Sequence, residues 1–394
     1  MHSQFIQKLE QDLKPVLSAI EQRGLVMDVQ KMQDIISGLE KQRRLAELRS
    51  YDLFGTKKRI NLNSSQELVG LMEDLGLECI NLPKTKRGTY STAKEVLGRI
   101  EHPAIRHVIQ YRMLTKMIAT LESYSNSVDM LNPRLYYKFT NDCASGRLYT
   151  KDMSIQNLPH EGRFAIVAGE GRVFISADYD MFELKILSAL SGDEYFRRCW
   201  EEGIDLHRKV VSDMKGIPYD EVTDTLRKLG KVLNFGLAYG QEPPGIAYKL
   251  GIPLSEAYAL VESYMEKIPE IVKFKDECIN KAIETGYTET FHGRRRDLPD
   301  INSGDRSKVL KSYRQSVNTT IQGTGADIAK ISMLNLHNAG WQIDAMVHDS
   351  FLISVPCEAV EQSIAGIREI MEIELNGVCL TASFKVGMSW GDCK

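Results

Sequence analysis

Apolar residues recur at three- and four-residue steps through most of the chain and at two-residue steps only in short runs. In residues 5–24, Phe5, Leu9, Leu13, Val16, Leu17 and Ile20 share one face, and Gly24 closes the helix. Residues 25–28 read as a short extended piece and 29–50 as a second, highly charged helix. The run Asn61-Leu62-Asn63-Ser64-Ser65 caps a helix over about 66–75, and Ser91 and Thr92 cap another over 92–101. A long helix follows from Pro103 to Asn126, so the first third reads as one helical, arm-like module. The character changes near Leu135. Residues 135–160 are irregular and polar with a strand-like 136–139, and 172–177 form a short apolar strand. Helices return from Met181 to about Trp341, broken at Gly192, Gly203, Pro218, Gly240, Pro253, Pro269 and Gly286. Residues 341–355 read as two strands around a tight turn, and 359–375 as a helix. The class is α+β, without internal repeats or low-complexity linkers.

Composition narrows the classes. The 394 residues are 43% hydrophobic and 26% charged, an ordinary globular balance for one large core or two to three domains. A net charge of −3 excludes a general polycation. Any contact with nucleic acid must therefore come from local clusters, such as 84–87, 294–296 and 306–314. Seven cysteines, an odd number without a CxxC pair, argue against a disulfide framework or a structural zinc site and for a reducing compartment. The polar N-terminus has no apolar signal region, and no run approaches the ~20 apolar residues of a membrane span.

Three motifs carry candidate chemistry. Arg227, Lys231, Phe235 and Tyr239 recur at four-residue steps, one stripe on a helix bearing two cations and then two rings. The cations suit a polyphosphate and the rings suit a base; an ordinary amphipathic helix gives the same spacing. The run RVFISADYDMFEL delivers Asp178 at the end of an apolar strand and Glu183 at the start of a helix. Asp178 and Asp180 could equally cap that helix. In WQIDAMVHDSFLISV, two apolar strands flank His348-Asp349, where Asn-Gly or Asp-Gly would be the ordinary tight turn. Two carboxylates on adjacent strands suit a pair of magnesium ions at a phosphoryl-transfer centre.

Together these motifs resemble the polymerase core of family A, the DNA polymerase I-like enzymes of bacteria and phages. The acidic strand resembles motif A of that family, RKLGKVLNFGLAYG its motif B and VHDSF its motif C, in the family's order. NLNSSQEL, KTKRGTYSTAKEVL, SGRLYTKDMSIQNLP, DLHRKV, GRRRDLPDI and NTTIQGTGADIAK match flanking pieces, so the resemblance spans almost the whole chain. It implies a right-hand fold with an antiparallel-sheet palm, helical fingers and a helical thumb. The implied boundaries are 1–28 palm start, 29–127 thumb, 128–195 palm with motif A, 196–300 fingers with motif B, and 301–394 palm with motif C.

The resemblance also implies roles. Asp178 and Asp349, with the Tyr179 carbonyl, would hold two Mg2+ ions, for which Mn2+ could substitute. Arg227 and Lys231 would contact the dNTP triphosphate, with Lys231 a candidate proton donor to the pyrophosphate. Phe235 would lie against the sugar and base, Tyr239 at the templating position, and Glu183 against the ribose 2′ position. His207 and Gln156 would lie near the nucleotide and the duplex. Arg147, Arg314, Asn318 and Gln322 would read the minor-groove side of primer-template DNA, the last three from one helix face. His348 would sit beside the primer terminus. A monomer is expected, cytoplasmic in a bacterial cell or phage-infected host, with an organelle the other setting. A separate exonuclease or replisome proteins would be its partners, because no proofreading segment is expected in this chain.

The sequence departs from the family pattern at three places. Ser350 stands where motif C usually has Glu. Asp180, Met181 and Phe182 replace the usual Ser-Gln-Ile of motif A. The segment 160–163 looks shortened and leaves a usual basic position in doubt. Ser350 also fits a single-subunit RNA polymerase, the main rival; Glu183 and the flanking matches favour DNA synthesis. A catalytically silent DNA-binding module would show erosion of Asp178, Asp349 or Lys231, and all three are present.

Overall fold

The computed structural model describes residues 2–77, 82–85, 88–238 and 240–393. Tyr239, Lys86 and Arg87, singled out above, lie outside the described residues. Helix α1 (Gln4–Arg23) buries Ile6, Leu9, Leu13, Val16 and Ile20 and is followed by β1 (Leu25–Met27). Helix α2 (Val29–Phe54) begins at an Asp28 cap and runs past the expected end at 50, because Ala46, Ser50, Tyr51 and Phe54 continue its buried face. It packs along α5 (Pro103–Asn126). Between them, α3 (Ser65–Asp74) is capped by Ser64 as the sequence suggests.

The helix expected over 92–101 shrinks to the single turn α4 (Lys94–Leu97), whose first cap position, Ala93, offers no side-chain acceptor. Thr92 is buried and bonded to Ser65 and Arg112 instead, so its hydroxyl serves tertiary contacts rather than a helix end. Tyr51, Phe54, Leu62, Leu68, Met72, Leu97, Ile105 and Val108 form a core of their own, separate from the main one.

The main core surrounds two antiparallel sheets. One has the order β2-β1-β5, with β2 (Arg134–Leu135) and β5 (Ile166–Val167) on either side of β1. The strand-like stretch 136–139 divides: β2 ends before it, and β3 (Lys138–Thr140) pairs with β4 (Tyr149–Lys151). After the short helix α6 (His160–Arg163) comes β6 (Arg172–Tyr179). It is central in the second sheet, of order β13-β6-β10-β9, built from β9 (Ile343–Val347), β10 (Ser350–Pro356) and β13 (Ala382–Gly387).

Helix α7 (Phe182–Ser191) and the 33-residue α14 (Arg306–Asn338) pack together near this sheet, joined by α15 (Val360–Met371). Between α7 and α14 lie α8 (Glu194–Glu201), α9 (Leu206–Lys215), α10 (Asp224–Ala238), α11 (Pro243–Leu250), α12 (Leu254–Met265) and α13 (Pro269–Thr285). This helical stretch is interrupted by a hairpin the periodicity did not reveal, β7 (Tyr287–Glu289) with β8 (Arg295–Asp297). The helix expected over 359–375 ends at Met371, and β11 (Ile373–Leu375) pairs with β12 (Val378–Leu380). The turn joining them, Asn376-Gly377, has positive φ at both residues (45° and 81°), the geometry two-residue hairpins favour.

Candidate active site

Strand β6 buries Val173, Phe174, Ile175 and Ala177, with Arg172 and Ser176 half-buried, and exposes Asp178 near its end. Alternation along the strand sends Tyr179 inward, where its hydroxyl bonds Ser332 at 2.7 Å and the Met371 carbonyl at 2.9 Å. Asp178 points the other way and is solvent-accessible at the sheet rim. It lies opposite Ser350 on β10 and Ser383 on β13, one residue removed from Asp349. Neither Asp178 nor Asp180 caps α7: the cap position is Met181, at φ 51°, without a side-chain bond, so the capping reading fails.

His348 and Asp349 form a two-residue turn between paired Val347 and Ser350. His348 is exposed and left-handed at φ 60°, an uncommon conformation for a residue with a Cβ and one that clusters at functional sites.

The two carboxylates are crowded. The Asp178 carboxyl is pushed up to about 6, first by lost hydration and then by the charges of Asp349 and Asp180, with Lys385 opposing. Asp349 is raised by burial, against the pull of Arg147 and His348. Among the described residues, no three His, Cys, Asp or Glu side chains are grouped to hold a metal by themselves. Two under-compensated carboxylates at a rim do fit a divalent cation that draws its remaining oxygens from phosphates and water.

A small cavity beside Asp349 is lined by Arg147, Glu183, Gln322, Lys330 and His348. Glu183 is 9% exposed and accepts a bond from Arg147. Burial raises its carboxyl, and the Arg147 charge works against that rise. Its Oε2 is buried with no partner in hydrogen-bond geometry, the Gln322 amide being close by.

Gln322, Asn318 and Arg314 follow one another along α14, ~6 Å apart by helix rise. Only Gln322 lines the cavity. The Asn318 Oδ1 is buried without a partner, and Arg314 packs against Gly240 and pairs with Glu242 at 3.5 Å. Gln156 accepts from the Thr150 hydroxyl at 2.5 Å, with its amide nitrogen buried and unpartnered.

On α10, Lys231 is exposed, while Arg227 is held at 2.7 Å by Asp205, the N-cap of α9. The Phe235 ring lies 5.7 Å from the His207 ring. His207 itself is buried behind α10, bonded to Asn234, which accepts from Tyr264. Gly230 permits this close packing, since a Cβ there would fall 2.0 Å from the His207 carbonyl oxygen. Burial, with the charges of Arg227 and Lys231, lowers His207 to about 4, so the ring is neutral at pH 7. It backs the helix and does not present a charge to the open side. The sequence reading missed Asp205 because its partner stands 22 positions away.

Comparison with known proteins places the chain in a family. A profile of DNA polymerase family A matches residues 29–392. The thermostable DNA polymerase I of Thermus filiformis is 33% identical over 98% of this chain and 48% of its own length. DNA polymerase I of Streptococcus pneumoniae R6 is 32% identical over 98% of this chain and 46% of its own. The chain thus spans about half the length of the curated relatives it matches. A solved structure of the POL domain of Pol1 from M. smegmatis, in complex with DNA primer-template and dNTP, superposes with a TM-score of 0.89. That match has 31% identity and covers 98% of this chain and 70% of the other. With the acidic strand, the cationic helix and the His-Asp turn assembled on a shared fold, and a profile match over most of its length, the chain belongs to DNA polymerase family A.

Proposed function

We propose that this chain is a template-directed DNA polymerase, extending a primer 3′ end with deoxynucleotides. The observation that carries the reading is the meeting of Arg147, Glu183, Gln322 and the His348-Asp349 turn, from four separate segments, at one cleft beside Asp178 on a fifth. The two sheets join segments 1–28, 128–195 and 301–394, which supports a discontinuous palm. The separate core within 51–108 supports a thumb over 29–127, and the helices of 196–300 would be the fingers. The relatives are DNA polymerases, and a buried carboxylate at 183 disfavours the RNA polymerase alternative.

In this reading Asp178 and Asp349, with the Tyr179 carbonyl, hold magnesium. When bound, the metal neutralises phosphate charge and eases loss of the primer hydroxyl proton. Arg227 would leave Asp205 for the triphosphate, and Lys231 would pair with it and give a proton to the departing pyrophosphate. Phe235 would lie against the sugar, Tyr239 at the templating base, and His207 would brace α10 behind them. Glu183 would close the space a 2′-hydroxyl needs. Arg147, Gln322, Asn318 and Arg314 would follow the minor groove, with Gln156 near the duplex and His348 at the primer end.

Purified protein on a defined primer-template should extend it with dNTPs in magnesium, in template order, and much less with NTPs. Asp178→Ala or Asp349→Ala should abolish extension while primer-template binding persists. Extension above a few per cent of wild type in either variant, or equal use of NTPs, would overturn the assignment. A 3′-mismatched primer should stay intact without dNTPs; release of its last nucleotide would show a second activity in this chain.

A further inference from the structure

Arg147 stands on a turn that the rest of the molecule grips unusually hard. The turn runs from Asn141 to Arg147, with the Gly146 amide bonded to the Cys143 carbonyl at 2.9 Å. Behind it lies a buried ionic lattice. Arg294 Nε pairs with Asp327 Oδ1 at 2.6 Å, and the Arg294 guanidinium also reaches Glu10. Lys330 donates to Glu10 Oε1 at 2.6 Å and to Asn141 Oδ1 at 2.7 Å, and Asn141 Nδ2 returns a bond to Glu10 Oε2 at 2.6 Å. The side chains of Arg294, Asp327 and Lys330 are 5%, 0% and 1% exposed. Two cations and two carboxylates thus balance, three of them buried and Glu10 half-buried, each fixed in direction by its partners.

The lattice touches the turn at both ends. Asn141 is bonded into it directly. At the other end, the Arg294 side chain lies flat against Gly146, at φ 77°, where an added Cβ would fall 2.4 Å from Arg294 Nε. Across the turn, Gly323 of α14 lets the Ser145 carbonyl come close, a Cβ there falling 3.3 Å from that oxygen. The next residue, Arg147, bonds Glu183.

We propose that Arg294 is a positioning residue for Arg147: seated by Asp327 and by Glu10, which Lys330 holds in turn, it sets the Gly146 turn that aims Arg147 at Glu183 and the primer-template. This deepens the polymerase reading, on which it rests. α1, through Glu10, is then part of the active-site frame, although it contributes nothing to the cleft itself.

The test is a double-mutant cycle. Arg294→Lys keeps a charge for Asp327 but loses the planar fork that lies on Gly146. It should lower kcat/KM for dNTP about tenfold and reduce the dNTP-to-NTP ratio, in the same direction as Arg147→Ala. In the Arg147→Ala background it should change kcat/KM by less than about twofold, since its effect passes through the missing side chain. Asn141→Ala, an exposed site, should show the same dependence on Arg147 at about threefold amplitude, and it serves if Arg294→Lys folds poorly by thermal melting. A full effect of Arg294→Lys or Asn141→Ala in the Arg147→Ala background overturns the inference and leaves the polymerase reading standing. A silent Arg147→Ala removes both the inference and the assigned role of Arg147.

Discussion

Glu183 shows how little of a side chain's behaviour its own identity decides. A glutamate in the first turn of a helix is ordinarily a solvated partner of the helix dipole. Here burial and an Arg147 contact hold it at the edge of a cavity, one oxygen bonded to Arg147 and the other buried near the Gln322 amide. In the proposed role, a carboxylate so confined would leave no room for an added hydroxyl. Glu183→Ala should therefore raise ribonucleotide incorporation relative to dNTP by at least about tenfold, ~1.4 kcal/mol in kcat/KM ratio. Unchanged ratios would mean that the sugar does not approach this residue. Phe235 makes the complementary case: lacking a hydroxyl, it offers nothing in place of a missing 3′-hydroxyl. Phe235→Tyr should bring dideoxy and deoxy kcat/KM values closer, as competitive single-nucleotide assays would measure; an unaltered ratio would separate α10 from the sugar.

The helices follow from spacing because an amphipathic stripe needs only local sequence to declare itself. α1, α3 and α5 end within a residue or two of expectation, and β6, β9 and β10 lie where apolar runs predict them. The missed elements are short strands stabilised by pairing partners, not by their own composition. β11 and β12 carried a legible cue in Asn376-Gly377, overridden by apparent helical spacing; β13 depends on β6 for its hydrogen bonds. Helix ends also set charge states. Asp193 caps α8 through a 2.7 Å bond from the Phe196 amide, yet is fully buried near Glu270. Burial first, then the neighbouring carboxylate, raises its pKa to about 6 from 3.8. Between those values the folded state keeps a proton that the unfolded chain has lost. Its contribution to stability therefore falls as pH rises through that window and is gone above about 6. Asp193→Asn keeps the capping oxygen and removes the charge. It should stabilise the protein at pH 7.5 by about 1–3 kcal/mol, and much less at pH 4. Thermal melts at the two pH values check this; an equal or larger gain at pH 4 would refute the buried charge.

The main core and the separate core within residues 51–108 should behave as two cooperative units of unequal size. The smaller of the two touches the remainder mainly through the long helices α2 and α5. Leu68 is fully buried in it. Leu68→Ala should cost about 2–5 kcal/mol locally. Hydrogen exchange should then lose protection across 51–111 while β6 and α14 keep theirs, and primer-template affinity should fall more than kcat on saturating DNA. Loss of protection in β6 at the same rate would show a single cooperative unit.

Membership in the polymerase family was legible from the order of three motifs, because each motif packs its chemistry into a few neighbouring residues on one element. Asp178, Asp349, Glu183 and the Arg227-Lys231-Phe235 stripe could be named as candidates from sequence alone for that reason. No helix among the described residues is long and apolar enough to cross a membrane, in line with the hydropathy of the chain. The pairing of Arg227 with Asp205, the burial of His207, and the Glu10–Lys330–Arg294–Asp327 lattice under Arg147 join residues 22 to 320 positions apart. Such contacts leave no periodic trace, since their energy depends on burial and distance that only the folded chain creates.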